Sequence, residues 1–450
     1  MTQAQLQSLA TFAIEARGKR LPATVEQETI QKIIDWGAAT IVGAREPASQ
    51  LLTKALVDSS TSGKIQLLTS SARTDVRTAA LINGTAAHVS EIDDIYRDGL
   101  YHPGAPTVAA AIAMAEKVGA SGNDLIRAVA IGYEIGCRIS KAVNPKHYKY
   151  WHTTGTVGAI GSAAAAAEIL ELNAEQFAHA LATSVTMAAA LQQAFRTESM
   201  SKPLHSGRAA EAGILSALMA AEGMTGSVDI LDGESGFGVA MGEGVPTDEI
   251  LKGLGTTWCV SEITVKNHFC CGHNFAAVDA GLVIRAAGVV PENISKIDIE
   301  TYTIATEVAR NLDPHTAFEA KFSLPYTVAT GICSGSVREK AFTDDALKNS
   351  EVRRLLGVTS VKGDAKMDAV YPLRRMARVT VTEKNGTVHV EERSTRKGDP
   401  DDPLTVEEIS DKFNELVEPR LGKERTATLL SDLNNLRTLE NVQSLNWGAK

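Results

Sequence analysis

Between Glu91 and Gly104 the chain reads Glu-Ile-Asp-Asp-Ile-Tyr-Arg-Asp-Gly-Leu-Tyr-His-Pro-Gly, which gathers Glu91, Asp93, Asp94 and Asp98 with the imidazole of His102 in one polar segment. The segment runs directly into the alanine-rich stretch 108–118. Acids and an imidazole placed where a loop meets a helix suit proton transfer. Pro103 and Pro106 stand where helix-starting prolines belong. His102 is therefore expected beside unpaired backbone N–H groups, and such a helix end attracts anions. The segment reads as a site for a carboxylate substrate.

Two later segments repeat the arrangement. Trp151-His-Thr-Thr-Gly155 precedes the small-residue run 155–170, with Thr153 or Thr154 as the expected N-cap. Ser201-Lys-Pro-Leu-His-Ser-Gly207 precedes a further alanine-rich helix. A polar cap explains any one of these starts as well as a site does. Three of them carrying His102, His152 and Lys202 favour a shared chemical purpose.

The elements that must position these groups are mostly helical. In 450 residues, aromatics are sparse and alanine abundant, which favours closely packed helices over a sheet-dominated protein. The pattern is helical from Leu6 to about Ala221. Capping boxes begin at Ser121 and Asn173, for helices over 125–143 and 177–194. After about Gly244 the texture changes. Residues 297–302 and 377–382 alternate like half-buried strands, and Asn385-Gly386 marks a hairpin. Residues 279–287 and 344–356 read as helices between them. Lys397-Gly-Asp-Pro-Asp-Asp-Pro403 is a break, and 405–439 returns to helix. The expected fold class is mainly α with an α+β domain: a large all-helical domain from 1–264 and 401–450, discontinuous in sequence, and a smaller α/β lid domain over 265–400.

Bulk properties exclude several functions. A net charge of −9 argues against a nucleic-acid surface, and any anionic substrate must be held by local cations and helix ends. The five cysteines form no disulfide-scaffold pattern. No signal-peptide succession opens the chain, and no apolar run approaches the ~20 residues that span a bilayer. A soluble cytoplasmic protein without membrane or nucleic-acid partners is expected. His268, Cys270, Cys271 and His273 are the densest soft-ligand group, but adjacent cysteines chelate one tetrahedral ion poorly and no CxxC occurs. GxGxxG after a strand, GxxxxGK[ST], HExxH and GxSxG are all missing. No metal and no cofactor is expected.

These residues carry a resemblance. Glu91-Ile-Asp-Asp with His-Pro-Gly104, Trp151-His-Thr-Thr154, Ser201-Lys-Pro-Leu-His-Ser-Gly-Arg-Ala-Ala-Glu-Ala-Gly213, Gly223-Met-Thr-Gly226, Cys270-Cys-Gly-His273, Ala320-Lys-Phe-Ser-Leu-Pro-Tyr326 and Lys397-Gly-Asp-Pro400 follow one another. In these the chain resembles the MmgE/PrpD family, which includes 2-methylcitrate dehydratases, cis-aconitate decarboxylases and iminodisuccinate epimerases. The resemblance implies a helical domain with a smaller lid, a homodimer, and cofactor-independent acid–base chemistry on a small-molecule carboxylate. It points to His102, His152, Asp94, Glu91, Lys202 and Tyr326 as catalytic residues. Lys202, Ser201, His273, Cys271 and Lys321 are the expected substrate contacts. Two departures stand out. The family's Asp-Phe-Asp-Asp-Thr is Glu91-Ile-Asp-Asp-Ile95 here, and Phe275 takes the place of a second histidine after Cys-Cys-Gly-His. That histidine belongs to the site in decarboxylase-like members, so its loss argues against decarboxylation of cis-aconitate.

The shared chemistry is deprotonation beside a carboxylate, with charge building on oxygen and met by fixed cations and N–H donors. Lys202 is the anionic-group anchor. His102 or His152 is the proton carrier, and Asp94 or Glu91 either orients an imidazole or serves as base itself. The expected activity is a lyase of the hydratase/dehydratase kind. The alternatives are an isomerase, epimerase or decarboxylase of the same family, and a cleft without turnover would make a carboxylate-binding protein.

Overall fold

The computed structural model describes residues 5–57, 63–68, 70–196, 199–242 and 248–447. It divides into two compact units: Met1–Val265 with Thr405–Lys450, and Lys266–Leu404.

Among its described residues, unit 1 is helical apart from a two-stranded ribbon, β1 (Ile65–Gln66) and β2 (Arg73–Thr74). Its first nine helices are α1 (Gln5–Arg17), α2 (Ala23–Gly43), α3 (Pro47–Leu56), α4 (Val76–Val89), α5 (Gly104–Val118), α6 (Gly122–Val143), α7 (Thr153–Ile169), α8 (Ala174–Thr186) and α9 (Ser201–Ala221). α7 is buried along its whole length and is surrounded by α5, α6, α8 and α9. A buried methyl contributes only about 0.8 kcal/mol, so an alanine-rich bundle depends on close approach of the backbones. Glycine provides it. A Cβ on Gly132 of α6 would stand 2.7 Å from the Gly161 carbonyl oxygen of α7, and one on Gly207 of α9 would stand 2.1 Å from the Leu81 carbonyl oxygen of α4.

The capping boxes at Ser121 and Asn173 form as expected. α8, however, stops at Thr186 rather than running to 194. Beyond it the Ala190 carbonyl accepts from the His152 N–H at 3.0 Å, and Leu191 bridges to Trp151. Extended pairing there replaces the helical bonds. The expected caps Thr153 and Thr154 are the first helical residues of α7; His152 holds the N-cap position, without a side-chain capping bond.

The C-terminal segment packs on α2 as two helices, Val406–Leu421 and Lys423–Asn434, rather than one, divided at Gly422 with φ +79°. Lys412 forms a fully buried ion pair with Asp35 of α2 at 2.5 Å and reaches the Ile92 carbonyl at 3.4 Å. Trp447 meets Trp36 edge-on at 5.8 Å.

Unit 2 carries a four-stranded sheet in the order β4-β3-β5-β6: β3 (Ile294–Thr301), β4 (Thr359–Gly363), β5 (Ala377–Glu383) and β6 (Val388–Arg393). β3 and β4 are parallel, and the other pairs are antiparallel. The β5–β6 hairpin turns at Asn385-Gly386, with Gly386 at φ +90° as an Asn-Gly turn requires. Ile297, Ile299, Val379 and Val381 are buried, and Phe275–Ala286 packs on β5 and β6. The helix expected over 344–356 is two, Asp344–Leu347 and Ser350–Leu356, because the Asn349 side chain caps the second by accepting from the Glu351 and Val352 N–H groups.

Candidate active site: an imidazole cluster at helix ends

The acidic loop of unit 1 is shaped by its backbone. α4 ends at His88–Val89, and Glu91 then takes φ +61°, a left-handed turn that a non-glycine residue adopts at some cost. Tyr96 and Tyr101 form a reciprocal backbone bridge, at 2.7 and 3.2 Å, which folds the loop back on itself. The fold-back returns His102 to Asp93.

Asp93 Oδ2 stands 2.7 Å from His88 Nδ1 and 3.2 Å from His102 Nδ1. Burial raises the Asp93 pKa, but the charges and hydrogen bonds of His102 and His88 outweigh it and hold the carboxyl well below its usual range. An ionised carboxylate only accepts, so His88 Nδ1 carries a proton. His88 Nε2 is buried with no partner among the described residues. The His88 ring is 5.0 Å from His102, edge-on, and 5.4 Å from His152, stacked. His152 lies in turn 4.6 Å from the Phe195 ring and places Nδ1 3.1 Å from His205 Nδ1. Burial keeps His152 neutral, its pKa well below the usual value, with His88 and Lys202 adding to the effect. His205 is lowered to about 4 by burial, then by His88 and Lys202. The His102 N–H donates to Thr154 Oγ1 at 3.2 Å, tying the loop to α7.

Four imidazoles and one carboxylate are thus brought together from the end of α4, the loop before α5, the start of α7 and the first turns of α9. His102, His152 and Lys202 of the sequence-derived set belong here. Lys202 lies in the first turn of α9, its ammonium paired with Glu91 and 4.8 Å from the centre of the Phe195 ring.

The carboxylate that holds the imidazoles is Asp93, not Asp94 or Glu91 as expected. Asp94 Oδ1 accepts from the Gly104 N–H at 3.0 Å, and its Oδ2 accepts from the Tyr133 hydroxyl at 2.7 Å. The N-terminus of α5, read from the sequence as an attractor for substrate, is therefore met by the protein's own carboxylate. Burial raises the Asp94 pKa to about 7; the Tyr133 bond opposes the rise and Asp93 adds to it. Glu91 is spent on Lys202. Ser201 is exposed, its hydroxyl 2.8 Å from that of Ser199.

The remaining candidates lie in unit 2. His273 Nδ1 is 2.7 Å from the Tyr302 hydroxyl, the Cys271 N–H donates to the Lys321 carbonyl at 2.9 Å, and the Lys321 ammonium lies 5.8 Å from the centre of the Phe342 ring. Tyr326 is a core residue. It is fully buried and its hydroxyl donates to the Ala341 carbonyl at 2.5 Å, which leaves no proton for a substrate. Phe275 is buried as well, against His268 and Arg396.

Among the described residues, one group gathers three metal-type donors within 4.8 Å: His88, Asp93 and His102. Both Nδ1 atoms lie at pairing distance from a single carboxylate oxygen; three donors are fewer than a closed structural site uses and equal in number to those of a catalytic site that keeps one position open. The His268–His273 stretch does not converge, because His268 Nε2 is engaged by Asp279 at 2.8 Å and His273 by Tyr302.

Sequence reading missed His88 and His205 and ranked Asp93 below Asp94. The available signals were slight: a histidine five residues before Asp93 in an alanine-rich helix, and the histidine of Lys-Pro-Leu-His.

Comparison with known proteins places this architecture. The MmgE/PrpD N-terminal domain model matches residues 7–249 and the MmgE/PrpD C-terminal domain model residues 268–435, so the chain belongs to the MmgE/PrpD family. The second match runs past Leu404 into helices that pack in unit 1. The chain is 26% identical to the cis-aconitate decarboxylase-like protein oryM of Aspergillus oryzae, over 97% of its own length and 95% of that protein. It is 27% identical to the cis-aconitate decarboxylase of Homo sapiens, over 82% of this chain and 78% of that one. The cis-aconitate decarboxylase of Mus musculus is equally similar, over 82% and 77%. The human and mouse relatives are decarboxylases, a lyase-type activity. Among the described residues, no helix is long and apolar enough to cross a membrane.

Proposed function

We propose that the protein is a lyase that adds or removes water on a small polycarboxylate or hydroxy acid, by moving a proton at the carbon beside a carboxylate. The observation that carries this reading is the pair of separately held imidazoles, His102 at ion-pairing distance from Asp93 and His152 at hydrogen-bonding distance from His205. Elimination of water needs one proton taken from carbon and another given to the departing hydroxyl. Two such imidazoles supply a base and an acid. Lys202, released from Glu91, would meet the substrate carboxylate and the charge that builds on it. Every transfer runs through side chains, so a metal is not required. A homodimer is expected from family membership.

A second reading is decarboxylation of a polycarboxylate, favoured by the names of the relatives. It needs a single proton, delivered to the carbanion carbon after CO2 departs. Incubation with hydroxy and unsaturated polycarboxylates in D2O, followed by NMR, separates the outcomes. Interconversion of alkene and hydroxy acid is the expected result. CO2 release with one deuterium gained would replace it by decarboxylation. Exchange with inversion and no alkene would mark an epimerase, and binding without turnover would refute an enzyme.

A further inference from the structure

The first turns of α9 hold His205, a histidine outside the base and acid roles of His102 and His152. His205 Nδ1 faces His152 Nδ1 at 3.1 Å, with ring centres 5.3 Å apart. His152 is buried, whereas His205 is half-buried and lies in the wall of a cavity of about 560 Å3 lined also by Gly155, Leu191, Ser201, Leu204 and Arg208. Beside Lys202 and His88, both rings are held neutral. Two neutral imidazoles that meet Nδ1 to Nδ1 must be opposite tautomers: one donates N–H, and the other accepts on a bare nitrogen and carries its proton on Nε2. The pair has only two such arrangements. In one, His152 Nε2 is a lone pair and therefore a base. In the other, it bears a proton and is an acid.

We propose that His205 is a positioning and relay residue that sets the tautomer of His152 and passes its proton to and from this cavity. The inference rests on the lyase reading and deepens it. When His152 Nε2 takes the substrate proton, the proton on His152 Nδ1 crosses to His205 Nδ1, and His205 releases its Nε2 proton to water in the cavity. His152 is left neutral with its proton on Nε2, as the acid form. The reverse sequence, drawing one proton from water, restores the base form. No electron pair leaves the two rings and no other reactant is needed.

Full-length protein labelled with 15N-histidine tests the pair at about pH 7.5. The 15N shifts of His152 and His205, assigned with His205→Gln and His152→Gln, are expected to report two neutral rings of opposite tautomer. Identical tautomers, or a protonated ring, would overturn the proposal. In turnover, His205→Ala is expected to lower kcat by about 10-fold or more with KM within about two-fold, and to slow exchange of the substrate proton with D2O in parallel. Added imidazole should restore part of the rate, which a purely structural role would not allow. Unchanged kcat and exchange in folded His205→Ala would overturn the relay. If that variant does not fold, the isotope measurement on the unmodified protein decides. If the unmodified protein turns over no carboxylate, the lyase reading fails, and the tautomer pair is still tested by NMR.

Discussion

The ammonium of Lys202 is paired with the carboxylate of Glu91, two residues 111 positions apart in sequence. A substrate carboxylate that binds Lys202 must displace this internal one. Partly exposed ion pairs contribute about 0.2–1 kcal/mol. Glu91→Gln should therefore lower KM by about 1.5- to 5-fold and leave kcat nearly unchanged. Lys202→Ala should raise KM and lower kcat together. Steady-state kinetics measures both, and a Glu91→Gln variant with intact KM and collapsed kcat would return Glu91 to the catalytic set.

Asp93 and Asp94 are adjacent, yet only Asp93 touches the imidazoles. Asp93→Asn, His102→Asn and His152→Asn should each reduce kcat by about 10²-fold or more, with binding closer to intact. Asp94→Asn should reduce it far less. A larger loss at Asp94 than at Asp93, in variants with normal circular dichroism, would reverse the assignment.

Asp94 also makes a pH-dependent contribution to stability. Its folded pKa, about 7, lies above the unfolded value near 3.8. Over that window the folded state holds a proton that the unfolded state has lost, so the contribution is full below about pH 4 and falls away as pH rises to about 7. Each unit of difference corresponds to about 1.4 kcal/mol. Relative to Asp94→Asn, the unmodified protein should lose stability between pH 5 and about 7.5, an effect of order 2 kcal/mol. Denaturant unfolding of both proteins at the two pH values measures it, and parallel behaviour would refute it.

Gly207 sits two residues beyond His205, where α9 crosses α4. The atom facing it is the Leu81 carbonyl, which cannot rotate aside as a side-chain tip does. Gly207→Ala should cost about 1–3 kcal/mol of unfolding free energy and lower kcat, because the first turns of α9 carry both Lys202 and His205. Unchanged stability would mean that the two helices separate freely.

Proton transfer through side chains predicts that turnover survives exhaustive chelation. Zinc or iron bound stoichiometrically, and lost together with activity, would instead assign His88, Asp93 and His102 to a metal.

Much of this was legible because it is local. The acidic run, the polar starts at His102, His152 and Lys202, the capping boxes and the Asn-Gly hairpin are written in short stretches. What was not legible depends on geometry across the fold. Choosing Asp93 over Asp94 requires the turn at Glu91 and the Tyr96–Tyr101 bridge. His88 is hidden in a helix whose composition speaks only of packing. Strand β4 is short and half polar, and is defined by a parallel partner about sixty residues earlier. Tyr326 lay in a recognisable motif, and the fold buries its hydroxyl on a backbone carbonyl.

The buried pair between Asp35 and Lys412 has a consequence for how the molecule is made. Its two halves are separated in the chain by the whole of unit 2, residues 266–404. At about 5–20 residues per second, a ribosome spends on the order of 7–28 s on that stretch after α2 has emerged. Throughout this delay Asp35 has no Lys412, and the Ile92 carbonyl beside the acidic loop lacks its ammonium donor. The imidazole cluster is thus scaffolded by a segment that arrives after unit 2. A nascent chain halted before Lys412 would hold the histidines in their helices but leave Asp35 and the Ile92 carbonyl without their ammonium partner, and α2 without the helix that packs on it.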